Sequence, residues 1–407
     1  MKNFNCEYTM YVNAVYSCVL KIIIFILISL LLCLSCGNSK EQGKNASAVK
    51  SINLPLTPWP HFRGNPSLTG VSPDTTPIPD TLRLLWTFKT GGSCLSSPVT
   101  DGSVVYIGSY DSTLYALDIR TGNPVWKFKA GGEIEASPVI YGDMILIGDL
   151  SGNFFSVDKQ TGNQNWQFKA RDKIAGSANI VEDKRYVIFG SYDNSLYALN
   201  IADGQLAWAY ASGSYINGTP ATDGARIVFG GCDAGLHVVS ASDGSAIGKI
   251  DTESHIAGSA VLSGGFAYIG AYGRALLGID IEKMAIAWRY ENDGRRAPFV
   301  ASPALADTFL IAPSRDNFVH CVSSVTGNLI WKFAAKGPVD SSPVISGNRV
   351  VVGCGAGSLY LIDLKTGELI NSFDMGGSLG GAPLVAGGMV IVGDENGLVS
   401  AMRRGSL

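Results

Sequence analysis

Histidine is the side chain whose ordinary charge change falls near neutral pH, and this chain has four: His61, His237, His255 and His320. None stands at ligand spacing to another, and Cys94, Cys232, Cys321 and Cys354 form no C-x-x-C or mixed Cys/His pattern with them, so no metal site is expected. No Ser/His/Asp constellation is visible either, and no catalytic residue is assigned. What stands out instead is a group of arginines in one stretch of the chain: Arg274, Arg295, Arg296 and Arg315. With Asp233, His237, Tyr272, Phe299, Asp316 and His320 they make a candidate binding rim, because guanidinium forks recognise carboxylate and phosphate. An anionic ligand or an acidic partner loop would suit it. The competing reading is local pairing, of Arg315 with Asp316 or Asp293 and of Arg295 with Glu291.

The elements that must position these residues are repeats. Tryptophans stand at Trp86, Trp126, Trp166, Trp208, Trp288 and Trp331, mostly 40 to 43 residues apart, and the one double gap has Gly248 at its midpoint. The unit is clearest in the run from Tyr115 to Trp126, which reads Tyr-Ala-Leu-Asp, then Thr121-Gly122, then the tryptophan. Upstream of each lies a Ser-Pro-like start, as at Ser97-Pro98, Ser137-Pro138 and Ser342-Pro343, then a polar turn and an apolar run. Eight such units are counted. Each predicts four short strands, A to D, at hairpin spacing. Near-continuous apolar runs imply sheets covered on both faces, which radial packing of blades supplies. The tryptophans of strand D are expected to wedge between successive blades.

The two ends of the array complete one another. Leu82 to Lys89 is a D strand without a blade, while the last unit stops at Met402 after strand C. Pairing them predicts an eight-bladed β-propeller of four-stranded antiparallel blades, closed by an N-terminal strand, with no exposed edge at the seam. Alternation then gathers the D–A and B–C loops on one face, where function is sought. Units four to six depart most from the pattern: His237 and His320 replace the strand-C tyrosine, and the loop before unit six is lengthened. Both histidines are expected to be polar tips satisfied near the loops or the channel.

Ahead of the propeller at 81–404 the chain divides into three parts. Residues 1–36 read as an export signal whose apolar run, Ile22 to Leu32, is short for a span, and translation from Met10 is an alternative start. The run ends at Cys33-Leu34-Ser35-Cys36, which resembles a bacterial lipobox with Cys36 as the lipidated residue, although Cys33 stands where leucine is usual. Cleaved soluble export and an uncleaved anchor are the alternatives. Residues 37–57 form a polar tether and 58–80 a lead-in packing on the propeller. Cys6, Cys18, Cys33 and Cys36 belong to the signal, leaving Cys94, Cys232, Cys321 and Cys354 as small buried hydrophobes. A net charge of −3 and no long run of like charge give no basic field for nucleic acid.

The Tyr-Ala-Leu-Asp, Thr-Gly, Trp unit resembles the repeat of pyrroloquinoline-quinone (PQQ) enzymes and of the outer-membrane assembly lipoprotein BamB. The segment Trp59 to Asn65 is similar to the lead-in of many such proteins. The resemblance implies a fold that hosts several activities. A BamB-like role would be a non-catalytic, membrane-anchored, monomeric scaffold binding other envelope proteins at the periplasmic side of the outer membrane. A second reading is an envelope-side sensor of an anionic small molecule or glycan, and a third a PQQ-dependent dehydrogenase. The dehydrogenases' vicinal cysteine pair, metal set and chamber-building insertions are missing from this sequence, so neither PQQ nor calcium is expected.

Overall fold

The computed structural model describes residues 56–292 and 297–404. They form eight four-stranded antiparallel sheets and a single short 3-10 turn, Glu182–Lys184. Blade one shows the pattern: A is Val99–Thr100, B is Val104–Ser109, C is Thr113–Asp118 and D is Pro124–Lys129. Strands B and C are buried almost throughout because a neighbouring blade covers each face, whereas strand D alternates between exposed and half-buried. The A strands of successive blades abut around a central channel. In the eighth blade, Leu384–Ala386, Met389–Gly393 and Leu398–Arg404 are joined by Leu82–Lys89 as outermost strand, Lys89 lying opposite Leu398.

The tryptophans and the Thr-Gly turns are two halves of one inter-blade joint. Trp126 donates its indole N–H to the Lys159 carbonyl at 2.9 Å, and its ring lies over Gly162, where a Cβ would fall 2.8 Å from Cδ2. Trp86, Trp166, Trp288 and Trp331 repeat the arrangement on Gly122, Gly204, Gly327 and Gly367, each with its own carbonyl acceptor at 2.9 Å. Trp208 sits on Gly244 in the same way, but its indole nitrogen has no hydrogen-bond partner. A turn glycine at positive φ is required here twice over, by its backbone and by the ring above it. Where the tryptophan is missing, the next turn changes too: Gly248 faces Met284, whose Cε fills the space, a Cβ on Gly248 falling 2.1 Å from it.

The Ser-Pro-like starts have a structural task as well. The backbone N–H of Ser97 donates to the Ser137 hydroxyl at 2.9 Å, and Ser137 to Ser177 at 2.8 Å. Thr219 to Ser259, Ser259 to Ser302 and Ser302 to Ser342 continue the series, and Ala382 closes onto Ser97 at 2.8 Å. These bonds tie innermost strands together at six of the eight steps around the channel, and Ser341, whose hydroxyl donates to the Gly381 carbonyl at 2.8 Å, joins blade seven to blade eight.

The lead-in circles one end of that channel and touches every blade. Trp59 bridges to Thr100 of blade one, Pro60 accepts from Ile140 of blade two, and Pro66 accepts from Asn179 and Thr222 of blades three and four. Ser67, Thr69 and Gly70 accept from Leu262, Leu305 and Ile345 of blades five, six and seven, and Ser72 reaches the Val385 carbonyl of blade eight. Arg63 is fully buried beneath this loop, donating to the carbonyls of Pro303 and Pro343. An extended segment without a periodic pattern thereby becomes ordered, because its backbone groups find partners on the inner strands of seven blades and the Ser72 hydroxyl on the eighth.

Candidate functional site

Since the lead-in occupies one end, the channel is read from the other, where the D–A and B–C loops meet. In each blade the first residue of the B–C loop donates its N–H to the D–A loop: Tyr110 to Ser93, Leu150 to Glu133, Tyr192 to Lys173 and so on to Glu395 with Ser378, at 2.8 to 3.2 Å. The channel encloses about 380 Å³ and is lined by the serine and threonine hydroxyl ring, small residues, Phe62, Glu135, Arg315, Asp340 and Glu395. Around its mouth stand tyrosines. Tyr192 and Tyr215 stack at 5.0 Å, Lys173 lies 4.2 Å above the Tyr192 ring, and Tyr110 donates to Glu135 at 2.6 Å. Tyr215 and Tyr272 are about half exposed. Burial and the Glu135 carboxylate hold the Tyr110 hydroxyl well above the usual tyrosine range, so it acts as a donor throughout the physiological range.

The residues proposed from sequence as a rim divide into two groups. His237, Asp316, His320 and Phe299 are buried inside the blades, all four almost completely. His237 Nε2 lies 3.0 Å from Asp233 and its Nδ1 3.0 Å from the Tyr210 hydroxyl, with Phe229 stacked on the ring. His320 repeats this with Asp316 at 3.1 Å and Tyr290 at 3.0 Å. The same B–C loop aspartate takes a tyrosine hydroxyl in blades one and three, where Tyr115 donates to Asp111 at 2.5 Å and Tyr197 to Asp193 at 2.6 Å. The histidines are thus replacements inside a loop-to-strand tie. Burial lowers the His237 pKa while Asp233 opposes it, and Asp233, which also holds Lys249 at 2.7 Å, stays below the usual carboxylate range. Phe299 is the apolar peg of its D–A loop, seated on Gly270 as Ile134 is on Gly108.

Tyr272 and Arg274 remain exposed on the face. Arg315 is bound bidentately by Asp340, Nε to Oδ1 at 2.8 Å and Nη2 to Oδ2 at 3.0 Å, a partner the sequence reading had not named. Arg295 and Arg296, with Asp293, lie outside the described residues, as does Cys36. The tyrosines Tyr110, Tyr192 and Tyr215 and the acids Glu135, Asp340 and Glu395 were missed. For Tyr110 and Tyr192 a signal was available, since the equivalent B–C loop residue is tyrosine in units one, three and five, Tyr272 being the third; Tyr215 and the acids carry no such repeat. Cys94, Cys321 and Cys354 are buried and Cys232 is half-buried, all unbridged.

Among the described residues no group of three or more His, Cys, Asp or Glu side chains converges as a metal set. The donors at the mouth do not fit a quinone with a divalent ion: Glu135, Asp340 and Glu395 belong to different units, and the first two are engaged by Tyr110 and Arg315. What remains is a shallow tyrosine-bordered mouth with an acidic inner wall.

Fold and repeat together define a closed propeller of the quinoprotein-like class, with its conserved-looking joints between blades and one open end. More particularly, the chain belongs to the propeller-repeat family described as outer membrane protein assembly factor BamB, which it matches over residues 79–217 and 315–406, just over half its length. The unmatched stretch between them holds the units that depart most from the repeat. No curated protein sequence matches the chain. Similar solved structures include BamB from Moraxella catarrhalis, at 19% identity and TM-score 0.69, covering 80% of this chain and 99% of that one. The computationally designed Ika8 protein aligns at 18% identity and TM-score 0.70, covering 79% and 100%. A europium-containing methanol dehydrogenase aligns at 14% identity and TM-score 0.70, covering 86% and 92%. At such identities these likenesses speak to fold alone.

Proposed function

We propose that the protein is a non-catalytic scaffold of the bacterial cell envelope, anchored through a lipid on Cys36 in the outer membrane and facing the periplasm. There it binds other envelope proteins in the assembly of outer-membrane proteins. The observation that carries this reading is the asymmetry of the disc: one end of the channel is occupied by the lead-in, and the other carries tyrosines with exposed rings around the mouth. Tyrosine supplies large, rigid contact area with a polar tip, the chemistry of protein-binding hot spots. Membership of the BamB family supports the envelope setting.

The acidic inner wall and the Asp340 clamp on Arg315 favour a partner segment bearing positive charge over an anionic small molecule. The test is recovery of partners from solubilised envelopes with the full chain. Exchanging Tyr192 and Tyr215 for alanine is expected to lower recovery of barrel-assembly components by roughly thirtyfold, the loss of one hot-spot contact. Undiminished recovery by a folded double variant would remove this face from the interface.

A further inference from the structure

We propose that the outer edge of blades six to eight is a docking edge for a bilayer bearing anionic headgroups. In every blade, strand D is bulged one residue before the tryptophan position, as between Leu84 and Trp86 or opposite Cys321 and Val322. The bulge turns two consecutive side chains outward at the start of the strand. In blade two these are Gln164 and Asn165, and in blades three to five one of the two is alanine, but in blades six, seven and eight both are large aliphatics: Leu329 with Ile330, Leu84 with Leu85, and Leu369 with Ile370, the last half-buried against the core. Leu84 is 61% exposed, and Val325 in the adjoining turn of blade six is 69% exposed. Single large exposed aliphatics, such as Val125, Leu206 and Ile247 of blades one, three and four, are ordinary on a protein surface; pairs of large aliphatics on three consecutive blades concentrate apolar surface on one arc of the rim.

Two further observations select the occupant. Arg83 and Arg403 are direct cross-strand neighbours in blade eight, with Arg404 opposite Leu82, and none of the three joins an ion pair among the described residues. Like charges placed opposite each other are unfavourable unless an anion is shared, and an anionic headgroup beside an aliphatic edge supplies one. The chain also enters the propeller here: Leu56 donates its N–H to Gly102 of blade one and packs on Gly387 of blade eight, on the face where these outer strands begin. Cys36 precedes Leu56 by twenty residues, a reach of at most roughly 65 Å. A tether of that length holds the edge near the membrane, and the mouth then opens sideways or away from the lipid.

This inference rests on the anchored reading above, and one experiment separates the two. The full chain is reconstituted in vesicles of phosphatidylethanolamine and phosphatidylglycerol that contain a diazirine-bearing lipid, then floated, illuminated and mapped by mass spectrometry. Adducts are expected in Leu82–Lys89, Leu329–Ala334 and Leu369–Asp374. Exchange of Arg83, Arg403 and Arg404 for glutamine is expected to weaken docking about a hundredfold. Leu84→Ser with Leu369→Ser removes the adducts at an unchanged melting temperature. Floating protein whose adducts spread evenly over all eight outer strands would overturn the docking edge while leaving the anchor intact. Protein that does not float overturns both. Self-association of the lipid-free chain that Leu84→Ser abolishes would assign the edge to a second copy and likewise overturn the proposal.

Discussion

The joint between blades four and five offers a quantitative test of how this ring holds together. At six of the eight joints a tryptophan on strand D lies on a turn glycine of the next blade; between blades seven and eight Asn371 takes its position, and between blades four and five Gly248 and Met284 exchange the roles of large and small. Gly248→Trp alone drives an indole into the Met284 side chain, whose Cε lies 2.1 Å from where the new Cβ would stand. That overpacking costs about 1–3 kcal/mol. Met284→Gly alone removes a partly buried side chain but also a non-glycine residue at φ 53°, two effects of about 1 kcal/mol and opposite sign. The double variant rebuilds the joint seen at Trp288 and Gly327, with the Ile281 carbonyl placed as acceptor for the indole N–H, three residues before the turn glycine as Ser324 is in that joint. It should therefore be at least as stable as the parent, giving a coupling energy of about 2 kcal/mol or more. Chemical denaturation of the four full-length proteins orders their midpoints. Strictly additive effects, with the double variant as poor as the sum of the singles, would refute the idea that these two positions form one joint.

Deleting Thr81 to Thr90 removes the outermost strand of blade eight and exposes the edge of Leu398–Arg404; no cooperative thermal transition is expected, and a soluble truncation that melts cooperatively would contradict closure. Asp316→Ala leaves the buried His320 without its acceptor and should cost about 1–3 kcal/mol, whereas Arg274→Ala, on an exposed loop, should change stability by less than about 0.5 kcal/mol; equal effects would mean the assignment of roles is wrong. Burial pulls the His61 pKa from 6.5 to about 4, so the fold holds it neutral. Its contribution is present above pH 6.5 and is lost as pH falls through 4, by at most roughly 3 kcal/mol. The acid slope of stability should therefore flatten in His61→Gln, as read by denaturant midpoints from pH 7 to 4.

The blades were legible in the sequence because the apolar runs repeat eight times, with a tryptophan at six of the strand-D positions and a Thr-Gly or Asp-Gly turn in six of the units, and a repeated local pattern has one repeated local solution. The gap at Gly248 was legible as well, but its partner Met284 was not, since the compensation lies in the next unit. His237 and His320 read as functional because they broke the tyrosine pattern. In three dimensions each donates from Nε2 to the aspartate four residues earlier, the same tie that Tyr115 makes to Asp111, so the departure conserves the contact. Arg315 found Asp340 across a blade boundary, where sequence distance gives no cue. The wrapping of 59–72 around the inner strands was hidden for another reason: its bonds are made by backbone groups of an irregular segment, which leave no periodicity to read.

The central claim, a partner-binding scaffold that works through the open mouth, is tested most directly by cross-linking the native full chain in intact envelopes and mapping the linked residues. The account predicts links from the D–A and B–C loops, at Lys173 beside Tyr192 and at Lys336 in blade six's outgoing loop, to components of outer-membrane protein assembly. Links confined to the opposite turns, such as Lys159 and Lys365, or no linked envelope protein at all, would contradict it.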